Sequence, residues 1–197
     1  VEGEARPLGV QLWDREEYPL EEAARLAAGT VLSGPAGGIS GSRRCAELLG
    51  IPNLVPFDMG GTSTDISLIT DGRASLSAEG GLAGQRIALR SLDIASIAAG
   101  GGSIATLDAG GTLRVGPESA GSVPGPACYG NGGVEPTVTD ANVILGYLDA
   151  SAFMGGKRPL DRAAAEAAVD RLAKALELSR DDAAAGIYRM VNLSMAD

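Results

Sequence analysis

The run Asp58-Met59-Gly60-Gly61-Thr62-Ser63-Thr64-Asp65 sets two carboxylates around two adjacent glycines and three hydroxyls. These residue types at this spacing suit phosphate and metal chemistry. Gly60 and Gly61 can take positive φ and let backbone amides approach a ligand with no Cβ in the way. Consecutive amides in such a turn form an anion-binding concavity. Thr62, Ser63 and Thr64 add hydroxyl donors. Asp58 and Asp65 suit magnesium, directly or through water, as hard oxygen ligands. The turn is therefore expected to hold a polyphosphate and its metal.

The elements around it must position those groups. Val55 to Phe57 enters the turn and Ile66 to Ile69 leaves it, which reads as strand, turn, strand. Val31 and Leu32 read as the end of a strand. Ser33-Gly34-Pro35-Ala36-Gly37-Gly38 then opens a helix that runs to Leu49 and stops at Gly50. Its glycines cost helix propensity, which makes sense if another backbone or a nucleotide packs closely there. Asp71-Gly72 is a two-residue turn, with Arg73 to Ala78 as the third strand of a meander and Glu79 to Gly84 following. Ile87 to Ile97 reads as strand and passes into Gly100-Gly101-Gly102-Ser103. That loop is either a phosphate or carbonyl site or a tight structural turn, and both readings stand.

Further along, a hairpin is expected around Ala109 to Gly111, then a long ordered loop from Glu118 to Gly130 of the kind that carries function. Cys128 in that loop reads as a buried structural thiol, because the sequence has no histidine to activate it. Glu135 to Asn142 opens a helix with Thr139 as N-cap, continued by Val143 to Leu148. Asp140 is either a helix-start carboxylate or a ligand facing a cleft. Two amphipathic helices close the chain. Asp161 to Leu176 presents Ala165, Val169, Leu172 and Leu176. Asp182 to Met195, capped by Ser179, presents Ala183, Ile187, Met190, Val191 and Met195. At the other end, Val1 to Tyr18 reads as loop, or as a short strand around Val10 to Trp13, with Trp13 as a core anchor or a docking residue, and Leu20 to Ala28 reads as a short helix.

The 197 residues are 45% hydrophobic but only 4% aromatic, which fits one globular domain or lobe packed with small side chains. A net charge of −9 argues against nucleic-acid and anionic-membrane partners. No apolar run of transmembrane length and no signal-peptide pattern is read, so a cytoplasmic location is expected. Two distant cysteines and no histidine leave no cysteine or imidazole metal site.

The hairpin resembles the second phosphate hairpin of the superfamily that contains actin, the sugar kinases and the large heat-shock chaperones. It is closer still to the hydantoinase A / 5-oxoprolinase family, in which Asp58, Gly60, Gly61, Thr62, Thr64 and Asp65 fall on motif positions. The Ser33 to Gly38 string, the Asp93 to Ser103 segment, the Glu118 to Gly130 loop and Thr139-Asp140-x-Asn142-like pattern at 139–142 resemble the family in the same order. The resemblance covers roughly Val31 to the C-terminus. It implies an α/β fold: one lobe of an actin-like ATPase (ribonuclease H-like) fold, a mixed sheet with flanking helices, with 1–30 as an N-terminal extension and 31–197 as a partial hydantoinase/oxoprolinase domain. It implies an enzyme that uses ATP and Mg2+ to open a cyclic amide such as 5-oxoproline or a hydantoin through a phosphorylated amide. Asp58 and Asp65 would be its catalytic and metal-binding residues. Gly60, Gly61, Thr62, Ser63 and Thr64, with Gly101, Gly102 and Ser103, would bind the nucleotide. The family also has an earlier Asp-x-Gly-Gly-Thr hairpin and a later Phe-Gly-Gly-Ala-Gly string. The expected partners are therefore an N-terminal lobe and a C-terminal part of the same polypeptide, a hydantoinase B-type subunit and a small cyclic amide, and the isolated segment is expected to be inactive. The alternatives are a subunit of an ATP-dependent ketone carboxylase and a non-catalytic actin-like regulatory or assembly lobe.

Overall fold

The computed structural model describes residues 9–11, 17–19, 33–77, 80–82, 85–87 and 91–196. Trp13, the helix expected at Leu20 to Ala28, the strand end at Val31-Leu32, and Glu79, Ala83 and Gly84 lie outside the described residues. Near the start, β1 (Gly9–Gln11) pairs antiparallel with β2 (Glu17–Pro19), the latter where only loop was expected. The described chain divides into two compact units, 1–58 with 65–95, and 59–64 with 96–197.

The first unit is built on helix α1 (Ser33–Leu49). It ends at Gly50, whose φ of 66° is the left-handed stop that glycine adopts without strain. The Ile51 and Gly50 amides donate back to the Ala46 and Glu47 carbonyls, at 2.9 and 3.3 Å, and close the last turn. The chain then enters β3 (Phe57–Met59), returns as β4 (Thr64–Ser67), and continues through β5 (Ile69–Thr70) and β6 (Arg73–Ala74). Asp71 and Gly72, both at positive φ, make the expected two-residue turn between β5 and β6. The strand expected from Arg73 to Ala78 is broken at Ser75. There the amide donates to Leu68 O while the carbonyl accepts from Asp93 N–H, so the chain changes partner. Hence β7 (Leu76–Ser77) pairs with β10 (Ser91–Leu92). Of the strand expected from Ile87 to Ile97, 88–90 lie outside the described residues; Ile87 ends β9 (Gln85–Ile87), which pairs with β8 (Gly80–Leu82), and Asp93 interrupts the rest between β10 and β11 (Ile94–Ile97). β4 lies between β3 and β11 in a three-stranded sheet. Ala36, Ile39, Ile69 and Leu92 form the core of this unit.

In the second unit β12 (Ser103–Leu107) and β13 (Leu113–Ser119) form the expected hairpin. Asp108 organises its turn by accepting from the Gly110 and Thr112 amides at 2.9 and 3.0 Å. A 3-10 turn (Ala127–Tyr129) precedes helix α2 (Val138–Ile144). The N-cap of α2 is Thr137, not Thr139. Thr137 and Asp140 form a reciprocal capping box, which places the cap two residues before the expected one. The helix also ends earlier than expected. Leu145 caps it, Gly146 turns away at φ 77°, and the Arg162 guanidinium donates to the terminal carbonyls of Val143 and Ile144 at 3.0 and 3.3 Å. Helices α3 (Arg162–Leu176) and α4 (Arg180–Ala196) start at Asp161 and Ser179, whose side chains accept from the Ala164 and Asp182 amides. Their expected stripes supply the core: Ala165, Val169, Leu172, Ala183, Ile187 and Val191 are buried with Val138, Ala141 and Val143 of α2.

Candidate functional site

In the second unit the 59–64 turn is held by the triple-glycine loop. Gly101 N–H donates to Gly60 O at 3.0 Å and Gly102 N–H to Gly61 O at 2.6 Å. Thr64 Oγ1, fully buried, donates to Ala99 O at 2.6 Å. Inside the turn Gly60 N–H donates to Ser63 O at 2.8 Å. A Cβ on Gly100 would stand 2.8 Å from Gly60 O, Gly61 C and Thr62 N, so the two loops lie backbone against backbone. That contact, rather than a backbone angle, explains the glycine. The brace has a second layer: Thr139, in the first turn of α2, directs both its amide and its hydroxyl at Gly101 O, each at 2.8 Å.

This geometry separates the expected ligand groups. The amides of Gly101 and Gly102 are spent on turn carbonyls, while Ser103 is buried with its Oγ accepting from Gly100 N–H at 2.9 Å. Among the described residues no hydrogen bond occupies the amides of Gly61, Thr62 and Ser63. Neither Gly60 nor Gly61 has the positive φ that the sequence suggested. A Cβ on Gly60 would stand a tight 3.3 Å from Ser63 O, whereas Gly61 faces open space. Thr62 remains exposed, its hydroxyl 3.2 Å from that of Ser119. Sequence reasoning missed Ser119, which ends β13 inside the long loop, and assigned Thr139 to a cap. The only sequence signal for either was membership of a family-like string.

In the first unit one hydrogen bond fixes the carboxylates. Ser67 N–H donates to Pro56 O at 3.2 Å, an antiparallel register in which Asp58 lies directly opposite Asp65. Cross-strand partners share a face, with Cα atoms about 5.5 Å apart or less. Both aspartates line one cavity with Pro35, Gly38 and Ile39 of α1. A Cβ on Gly38 would come 3.9 Å from Asp58 Oδ2, while Gly34, Gly37 and Gly41 have nothing within 4 Å. The close-packed backbone expected along α1 is therefore absent among the described residues. No group of three His, Cys, Asp or Glu gathers there either. A magnesium ion asks less, because one or two carboxylates complete its shell together with phosphate oxygens and water. The paired oxygen donors of Asp58 and Asp65 fit that mode.

The sequence matches the hydantoinase/oxoprolinase family profile across residues 17–197. The chain belongs to the hydantoinase/oxoprolinase family. It is 48% identical over 170 residues to the caprolactamase subunit alpha of Pseudomonas jessenii, covering 86% of this chain and 24% of that protein. It is 49% identical over 120 residues to the 5-oxoprolinase of Saccharomyces cerevisiae, covering 60% of this chain and 9% of that protein. The nucleotide-free structure of acetone carboxylase, an enzyme of ATP-dependent acetone carboxylation, superposes with a TM-score of 0.83 at 32% identity over 96% of this chain and 27% of that one. The fold is thus the expected α/β, actin-like ATPase type. The chain spans about a quarter of the length of the caprolactamase subunit.

In this hydantoinase/oxoprolinase chain Asp140 is a structural hub. It is fully buried and accepts from the Ala127, Cys128 and Thr137 amides and the Thr137 hydroxyl, at 2.7 to 3.2 Å. That set of donors supports the helix-start reading over the cleft-ligand one. The Cys128 thiol, also buried, is pushed far above the ordinary thiol range, first by burial and then by the Asp140 charge. A raised value means that the neutral thiol contributes its stability below the ordinary thiol pKa, and that this contribution is lost as pH rises above it. Iodoacetamide at pH 8 followed by peptide mapping should therefore modify exposed Cys45 and spare Cys128 until denaturant is added. Modification of Cys128 in the folded protein would contradict its burial.

Among the described residues no helix is long and apolar enough to cross a membrane.

Proposed function

We propose that this chain is the phosphate-handling part of an ATP-dependent cyclic-amide hydrolase. The observation that carries the reading is the braced turn of the second unit, in which no hydrogen bond among the described residues occupies the amides of Gly61, Thr62 and Ser63. Those amides and the Thr62 hydroxyl would cradle the β/γ-phosphates, a preorganised set of donors that needs no rearrangement when charge develops. Thr64, Gly101, Gly102 and Ser103 would act as the brace and not as direct ligands. Asp58 and Asp65 would hold Mg2+, which supplies charge neutralisation on the phosphates. Either carboxylate would orient the attacking water and take its proton. The amide oxygen would accept the γ-phosphoryl group as ADP leaves, one water would add at the ring carbon, the C–N bond would break to free the protonated amine and leave an acyl phosphate, and a second water would cleave that to carboxylate and phosphate.

The likeness to acetone carboxylase over nearly the whole chain keeps a second reading, a subunit of an ATP-dependent ketone carboxylase. One assay separates them. The full-length gene product is given Mg-ATP with ε-caprolactam, hydantoin or 5-oxoproline, and separately with acetone and bicarbonate. Ring opening coupled to phosphate release supports the hydrolase; bicarbonate-dependent ATP consumption with the ketone supports the carboxylase. Asp58→Asn should lower turnover at least about a hundredfold, close to 3 kcal/mol of barrier. Full turnover by that variant would remove Asp58 from the chemistry.

A further inference from the structure

The cavity shared by Asp58 and Asp65 runs deeper than the acid pair. It has a volume of about 230 Å³. That is below the roughly 300–1,000 Å³ of sites for drug-sized ligands. Its walls are mostly apolar: Pro35 and Ile39 from α1, Pro56 and Ile66 from the hairpin, and Ile94 from β11, with Ser42 among them, its hydroxyl donating to Gly38 O at 2.9 Å. Asp65 and Ser67 are two apart on β4, so they point to one face, the face of Asp58. Exposure falls along that face. Asp58 is exposed, Asp65 is half-buried and Ser67 is only 8% exposed. The cavity thus has a charged rim and a nearly dry floor.

The Ser67 hydroxyl at that floor has no hydrogen-bond partner among the described residues. A buried polar group left unpaired costs roughly 1–3 kcal/mol, so such groups are expected to meet a partner in the working state. An apolar wall, one unpaired hydroxyl and a rim of two carboxylates describe a site for a small, mostly hydrocarbon molecule with one polar edge. Gly38 belongs to the same design, since any side chain there would grow towards Asp58 Oδ2.

We propose that this cavity is the ring subsite: it takes a small cyclic amide, methylenes against Ile39, Pro56 and Ile94, with Ser67 Oγ bonded to the ring's amide group. The proposal rests on the hydrolase reading above and adds where the ring lies and which side chain selects it. Ser67 is a binding residue here, and Gly38 sets the room beside the acids.

The test uses the full-length gene product and two variants, read by ring-opening kinetics and by separate calorimetric titration of Mg-ATP. ε-Caprolactam, hydantoin and 5-oxoproline are the probes. Ser67→Ala should raise KM about tenfold for the ring that is turned over, the loss of one hydrogen bond. Gly38→Leu should raise it further by filling the cavity, and it should not unfold the protein because leucine favours helix over glycine. Mg-ATP should bind the Ser67→Ala variant within about twofold of the parent. If KM is unchanged in both variants while the parent opens a ring, the subsite is overturned and the hydrolase reading stands. If the parent binds Mg-ATP but neither binds nor opens any of the three rings, the hydrolase reading fails and the ring subsite fails with it. If Mg-ATP affinity falls in Ser67→Ala as KM rises, the cavity belongs to the nucleotide and the proposal is overturned.

Discussion

Gly100→Ala should abolish Mg-ATP binding, raising Kd more than about a hundredfold, and should lower the melting temperature by about 6–12 °C. The added methyl carbon would sit 2.8 Å from three backbone atoms, Gly60 O, Gly61 C and Thr62 N. No side chain can rotate away to relieve this, so one loop must move off the other. Overpacking of this kind costs about 1–3 kcal/mol, and separating the loops also strains the Gly101–Gly60 and Gly102–Gly61 hydrogen bonds. A total near 3 kcal/mol corresponds to that melting shift for a cooperative unit of about 150–250 residues. The nucleotide effect follows because the loop positions the unspent amides. Gly61→Ala is the contrasting variant. Its Cβ would meet open space, so the melting temperature should stay within about 1 °C of the parent, whereas a methyl in the path of the phosphates should weaken Mg-ATP binding at least tenfold. Calorimetric titration and a thermal melt on both variants of the full-length gene product read all four numbers. Normal Mg-ATP binding by Gly61→Ala would show that the phosphates do not approach this turn. Normal binding by Gly100→Ala would show that the brace does not set it.

The same contrast shows what could be seen in the sequence. The Asp58 to Asp65 run was legible because strand, glycine turn and strand are local, and local chemistry determines them. So were α3 and α4, whose buried alanines, Val169 and Ile187 recur at helical spacing. The function of each glycine was not legible. Sequence offers a backbone angle as the usual reason for a glycine, yet the angles of Gly60 and Gly61 are ordinary. Gly100 exists for a contact made 40 residues away, and no local pattern encodes that. Ser103 and Thr64 looked like ligand hydroxyls for the same reason: sequence gives their type but not their burial. The strand breaks at Ser75 and Asp93 were also hidden. A change of hydrogen-bond partner leaves no mark in an alternating pattern. The cap of α2 was misplaced because Thr137 and Thr139 are equally good caps in isolation, and only the Asp140 carboxylate, three residues after Thr137, decides between them.

That carboxylate gives the second large prediction. Asp140→Asn should destabilise the protein by about 4 kcal/mol and lower its melting temperature by about 8–16 °C. Hydrogen bonds to a charged group contribute roughly 1.5–3 kcal/mol each, and here four donors converge on two oxygens. An asparagine keeps the shape but offers one oxygen. Its amide hydrogens must then face N–H groups that also need acceptors. The capping box fails at the same time, because the Thr137 amide and hydroxyl both give their protons to Asp140. Two further readouts follow from the connections of α2. The Cys128 amide loses its bond to the Asp140 carboxylate, so the local opening that uncovers this buried thiol should become more frequent and its alkylation at pH 8 faster than in the parent. Thr139, one residue before Asp140, holds Gly101 O, so Mg-ATP affinity should fall several-fold although Asp140 touches no part of the turn. A variant that melts like the parent and leaves Cys128 protected would show that the four donors do not need a charge. Asp140 would then return as a candidate ligand.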